Sequence, residues 1–150
     1  MRKVRMLLGG VLALGVAMQL VPYGHRHSNP IVTAEPDWDS AHTRDLFFRA
    51  CGDCHSNDTR WPWYSHVAPV SWMLQQHVEE GRSKLNVSRW SMAMLDPASN
   101  AERQIRRGNM PLSSYLRGHP EARLTDAETA DLIAGLKATV AAAGTMDLQE

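Results

Sequence analysis

The chain has 150 residues, of which 43% are hydrophobic, and carries sixteen basic and sixteen acidic side chains for a formal net charge of zero. Three of the basic residues lie before position 6, so the rest of the chain is slightly acidic, which argues against a nucleic-acid partner. The length suits one small domain with a modest core of its own.

Met1-Arg2-Lys3-Val4-Arg5 opens the chain as a basic stretch, and Met6 to Val21 is apolar apart from Gln19. This pattern predicts a targeting or anchoring segment over residues 1–21, outside the folded domain. The run falls short of the ~20 residues that a helical bilayer span prefers, and its flanks bring it close to that length. No Ala-x-Ala site follows directly. An uncleaved single-pass anchor is therefore the first reading, and a cleaved signal the second. The basic residues precede the apolar run, which places the rest of the chain outside the cytoplasm. In a bacterium this means the inner membrane with the domain in the periplasm; the alternative is a soluble periplasmic protein.

Residues 22–37 read as a linker, because Pro22, Pro30 and Pro36, with Gly24, Ser28 and Asn29 between them, are turn and breaker residues. His25 and His27 within it are expected to be solvated. The folded domain is expected over 38–144 and to be all-α. Asp39 or Ser40 caps a helix to about Ala50, with Leu46, Phe47 and Ala50 on one face. Pro69-Val70-Ser71 opens a second helix, Trp72 to Glu80, closed by Gly81. Asn100 caps a third, Ala101 to Arg107, closed by Gly108. Thr125 to Glu128 is a capping-box pattern that starts a last helix, with Leu132, Ile133 and Leu136 inward and its end at Gly144. No alternating strand pattern is present.

The first of these helices delivers Cys51-Gly52-Asp53-Cys54-His55. Two thiols three positions apart, followed by an imidazole, form the attachment signature of a c-type haem. The thiols add across the two vinyl groups of the porphyrin, and His55 falls beneath the iron as its proximal ligand. Three other readings compete. A thioredoxin-like pair needs a βαβ setting, and no strands are expected nearby. Zinc wants four ligands in paired sets, whereas His25, His27, His42, His66, His77 and His119 are scattered. A plain disulfide in an exported protein is the third. Covalent haem agrees best with the exported address.

Gly108-Asn109-Met110-Pro111-Leu112 is the second candidate site. A methionine thioether opposite histidine is a common axial pair in electron-carrying haem proteins. Gly108 frees the chain from the preceding helix, and Pro111 fixes the backbone just after the methionine. Met110 is expected as the distal iron ligand; His66, His77, His119 or an open site are the alternatives, and an ordinary core methionine is the bland one. Trp61, Trp63, Tyr64 and Trp72, followed by Trp90, form an aromatic block that is either a wall around the porphyrin or simple core packing. Trp61, Trp63 and Tyr64 are its cofactor-binding candidates. Arg60 is either a partner for a haem propionate or a solvated loop arginine.

A helix, Cys-x-x-Cys-His, a Met-Pro loop and a carboxy-terminal helix follow the order of class I cytochromes c, which the chain resembles. More closely, Cys51 to His55, Arg60 to Ser65, Ala68 to Trp72, His77 to Gly81, Leu85-Asn86, Met110 to Leu112, Tyr115, His119-Pro120 and Leu124-Thr125 are similar to the bacterial family called the haem-binding domain. The resemblance implies a cytochrome-c-like fold, one covalent haem c and a periplasmic setting, without a defined reaction. One departure stands out: class I cytochromes set an aromatic residue of the last helix against the first, and Leu132, Ile133 and Leu136 stand there here. A looser or differently angled contact is expected. Three function classes follow: a one-electron carrier with both axial positions filled, serving redox partner proteins; a haem-based sensor or peroxidase-like enzyme with a labile distal site; and an interaction module in which haem is structural.

Overall fold

The computed structural model describes residues 1–146. Its helices are α1 Arg2–Gln19, α2 Ala41–Ala50, α3 Gly52–His55, α4 Val70–Lys84, α5 Leu95–Ser99, α6 Ala101–Arg106, α7 Ser113–Gly118 and α8 Asp126–Met146. Short 3-10 turns lie at Trp63–His66, Met92–Met94 and Pro120–Ala122. Among the described residues there is no strand, only one isolated bridge between Ala34 and Arg89. The domain is all-α, as its periodicity predicts.

Local chemistry sets several helix ends. The Ser40 hydroxyl accepts from the Thr43 amide at 3.1 Å and caps α2. Thr125 and Glu128 form the reciprocal capping box: the Glu128 amide donates to the Thr125 hydroxyl, and the Thr125 amide donates back to the Glu128 carboxylate at 2.8 Å. Gly108 leaves α6 with φ +68°, its amide bonding the Ile105 carbonyl while the Asn109 amide bonds that of Gln104. This pair of bonds is a Schellman ending, and the positive φ is why glycine stands there.

The core joins Leu46 and Phe47 of α2 to Leu85, Val87, Ala98 of α5, and Leu132 and Leu136 of α8. Each large side chain so buried is worth ~1.5–3 kcal/mol. The contact between α2 and α8 is close rather than loose. Gly135 faces Thr43, and a Cβ placed on it would lie 2.6 Å from Thr43 Cγ2. A glycine notch thus takes the place of an aromatic pair and brings the two backbones together.

Three expectations need correction. Gly81 does not end the second helix; α4 runs on to Lys84. The glycine is there because α4 crosses α3 backbone to backbone: a Cβ would lie 2.9 Å from the Cys54 carbonyl carbon and nearer still to its oxygen. The last helix likewise passes Gly144 and reaches Met146. At the amino terminus, no described helix is long and apolar enough to cross a membrane, so the expected membrane-spanning anchor over 1–21 is not met. Arg2, Lys3 and Arg5 occupy the first turn of α1, and the remaining fourteen residues reach only ~21 Å.

The segment 22–37, read as a linker, lies along the domain. Asn29 donates to the Thr59 carbonyl at 2.9 Å, the His27 ring nitrogen meets the Ser65 carbonyl at 3.0 Å, and the Thr33 amide donates to the Ser88 carbonyl at 2.9 Å. Arg82 ties this strap down from α4, donating to the carbonyls of Ser28 and Ser56 and to the Thr59 hydroxyl. Glu35 adds a two-pronged ion pair with Arg44 at 2.8 and 2.9 Å. His27, expected to be solvated, stacks on Trp61 at 4.5 Å between ring centroids.

Candidate functional site

The turn that carries Cys51, Cys54 and His55 is built by α2 running directly into α3. The Cys51 amide closes α2 on the Phe47 carbonyl at 2.7 Å, and the His55 amide bonds the Cys51 carbonyl at 2.9 Å. Both thiols are free and half-buried. Burial pushes the Cys51 thiol up to about 12 and the Cys54 thiol up to about 11, the latter reinforced by the Asp53 carboxylate. They are neutral thiols set in an apolar wall.

His55 is oriented by α4. Its Nδ1 donates to the Leu85 carbonyl at 3.0 Å, which leaves the Nε2 lone pair uncommitted. Desolvation holds its pKa below the usual imidazole value against the opposing pull of the Leu85 and Gly81 carbonyls. A neutral imidazole with one nitrogen tied to a backbone carbonyl is the form that binds a metal.

Asp53, inside the motif, is the residue that sequence reasoning overlooked. It is only 6% exposed and gathers donors from three directions. The Arg60 amide gives 2.9 Å, the Arg60 guanidinium 3.2 and 3.3 Å, and the Tyr115 hydroxyl 2.7 Å. Arg60 therefore holds the turn between the two cysteines through both its amide and its guanidinium. Burial, then the Asp53 acceptor, raises the Tyr115 pKa, so the phenol stays a donor. Tyr115 stacks on His119 at 4.3 Å, and the Tyr64 hydroxyl meets His119 Nε2 at 3.1 Å.

These groups border an apolar cleft of about 100 Å³ beside Cys54. Trp61 and Tyr64 line it from the 3-10 turn region, Met73, Leu74 and His77 from α4, and Leu112, Tyr115 and His119 from the far side. Trp63 does not line it and is 79% exposed. Successive side chains of a 3-10 turn point about 120° apart, so with Tyr64 facing the cleft its neighbour faces out. Met110 is half-buried on the loop after α6, its amide on the Gln104 carbonyl at 3.3 Å; Leu112, two residues on, is the loop's contribution to the cleft wall. Among the described residues no three histidine, cysteine, aspartate or glutamate side chains gather as a metal-binding group, so the zinc reading gains nothing.

Residues 13–138 match the family model described as the haem-binding domain. The chain belongs to that family. No curated protein and no solved structure matches it. Haem is thus the cofactor of this haem-binding domain, and the donor set fits it: an imidazole with a free Nε2, two neutral thiols on the same turn, and an apolar cleft with aromatic walls that Cys54 borders. The match begins at residue 13 and so takes in the strap, which the resemblance read from sequence had left outside.

Proposed function

We infer that this haem-binding domain is a periplasmic one-electron carrier holding one haem c covalently through Cys51 and Cys54, with His55 as proximal and Met110 as distal ligand. The observation that carries the reading is His55, whose Nδ1 is committed to the Leu85 carbonyl on the same turn that presents both thiols. When bound, the haem supplies an iron that changes its charge by one unit. The chain's own residues do the rest. Asp53, Arg60 and Tyr115 hold the attachment turn rigid, and α4 fixes the imidazole. The apolar walls keep water out, which favours the less charged iron state. The Schellman ending at Gly108 supports Met110, since it turns the chain out of α6 just before the thioether. The basic, apolar amino terminus supports export, and serves as a membrane tether.

One observation favours a second distal ligand. His77 lines the cleft beside Cys54 and Met110 does not, so a site with two imidazoles is the runner-up. Denaturing electrophoresis followed by a haem stain tests covalent attachment. Protein matured in a host with a working attachment system keeps the stain; its loss on denaturation overturns the covalent reading. The oxidised protein then shows the near-infrared sulfur-to-iron band, and Met110→Ala abolishes it and admits carbon monoxide. A low-spin protein without that band assigns the distal place to His77. Rapid carbon monoxide binding by the unaltered protein moves it to the sensor or peroxidase class.

A further inference from the structure

From Trp61 to Gln76 the sequence has no aspartate, glutamate, lysine or arginine, although 21% of the whole chain is charged. Part of this uncharged stretch is core and cleft wall, but four of its apolar side chains face solvent. Trp63 is 79% exposed, Val67 46%, Met73 44% and Val70 37%. Trp63 and Val67 bracket the 3-10 turn, and Val70 and Met73 share the first turn of α4, which packs on that turn. Scattered exposed apolar residues need no explanation, whereas a contiguous uncharged set marks a contact surface.

The occupant follows from where α1 is rooted. The Gln19 side chain makes two reciprocal hydrogen bonds with the backbone of Ala68, accepting from its amide at 3.0 Å and donating to its carbonyl at 3.1 Å. Ala68 is buried and lies in the sequence between the exposed Val67 and Val70, so the root of α1 is next to these two side chains. Beyond Gln19, α1 stands away from the domain with no buried residue, and Leu7, Leu8, Val11, Leu12 and Leu14 are all exposed. Its apolar part is ~21 Å long against a hydrocarbon thickness of ~30 Å. A tether this short, fixed at Ala68, cannot enter a bilayer and leave the domain at a distance. Because its apolar residues continue down to the root itself, α1 reaches lipid only when the domain surface around that root lies at the membrane. The surface brought to the lipid is then the one around the root, and tryptophan is the side chain that favours the headgroup layer.

We propose that the face formed by Trp63, Val67, Val70 and Met73 is a membrane seat, which rests in the headgroup layer of the bilayer entered by α1 and sets the orientation of the haem domain. The proposal rests on the tether reading of α1 and adds to it a contact made by the folded domain itself. Val70 and Met73 also line the cleft beside Cys54, so the seat turns one rim of that cleft toward lipid.

The test uses the full-length haem-loaded protein in phosphatidylcholine vesicles containing phosphatidylglycerol and a lipid with a diazirine at its headgroup. After photolysis, digestion and mass spectrometry locate the carbene adducts. Adducts are expected on α1 and on the peptide spanning 61–76, and not on α8, which packs against α2, α5 and α6. The double substitution Trp63→Ser, Val67→Ser changes two exposed side chains. It should lower labelling of 61–76 several-fold while α1 labelling stays unchanged. Labelling of α1 without 61–76 overturns the seat and leaves the tether standing, as would occur if a protein partner covered this face. Equal labelling of α8 and 61–76 overturns the orientation. Absence of adducts on both α1 and 61–76 overturns tether and seat together.

Discussion

Gly81→Ala is the sharpest probe of how α4 serves the turn that carries Cys54 and His55. In the free helix the change is favourable by up to ~1 kcal/mol, since alanine is the better helix former. In the folded protein the new methyl group would stand 2.9 Å from the Cys54 carbonyl carbon, where ordinary contact begins at 3.4 Å. The neighbours are backbone atoms of a tight turn, so no side chain can rotate away. α4 must retreat by at least ~0.5 Å, and overpacking of this kind costs ~1–3 kcal/mol. The same retreat stretches the 3.0 Å bond from His55 Nδ1 to Leu85, four residues along α4, to the edge of hydrogen-bonding range, for a further ~1 kcal/mol. The net expectation is ~2–3 kcal/mol of destabilisation, read as a fall of ~1–2 M in the urea midpoint. Gly144→Ala is the matched control: it is helical, with nothing within 4 Å of the added carbon, and should be neutral or slightly stabilising. A Gly81→Ala protein with an unchanged or raised midpoint would refute the backbone-on-backbone account.

Other expectations follow from the same contacts. Tyr115→Phe removes a 2.7 Å hydrogen bond to the buried Asp53 carboxylate and should cost ~1.5–3 kcal/mol in thermal or chemical melts; an unchanged melt would show that Arg60 alone suffices. Arg82→Ala should make residues 22–34 the first site cut in limited proteolysis. Arg82→Lys should not restore protection, because a single ammonium cannot reproduce the guanidinium's spread of bonds to Ser28, Ser56 and Thr59. The Glu128 carboxyl is held down to about 2 from an ordinary 4.5, first by the Thr125 amide and then by Arg49. A depressed carboxylate stabilises the fold above its unfolded value, and that contribution is lost as pH falls from 4.5 toward 2. Amide protection at the start of α8, taken relative to the intrinsic exchange rate at each pH, should therefore fall over that window, and Glu128→Gln should remove the dependence.

What the sequence makes legible here is local. Ser40, the Thr125–Glu128 box and Gly108 each act on amides within four residues, so their patterns carry the same meaning in any fold. The inward faces of α2 and α8 are legible because Leu46, Phe47, Leu132 and Leu136 follow helical periodicity. Gly81 misleads because a glycine after a helical run looks the same whether it ends the helix or admits another backbone, and only the distant Cys54 decides. The strap misleads for a related reason. Proline, glycine and asparagine mark an extended chain, but the partner that docks it, Arg82, stands more than fifty residues away. Trp63 and Tyr64 differ by one step of a tight turn, and composition cannot assign their phase. Asp53 carries no signal in the sequence beyond its place between two thiols; its donors Tyr115 and Arg60 reveal it only in three dimensions.

The strap also imposes an order on assembly. A chain emerges amino end first, so residues 22–34 are exposed before any of their partners exist. Ser28 waits for Arg82, fifty-four positions later, and Thr33 waits for Ser88. The carbonyl that orients His55 arrives thirty positions after it. Throughout that interval both cysteines are already present on a turn that nothing covers, and their thiols have yet to meet the packing that later suppresses their ionisation. The strap is thus made early and placed late: it docks only once α4 and Ser88 have arrived, when both cysteines have long been on hand.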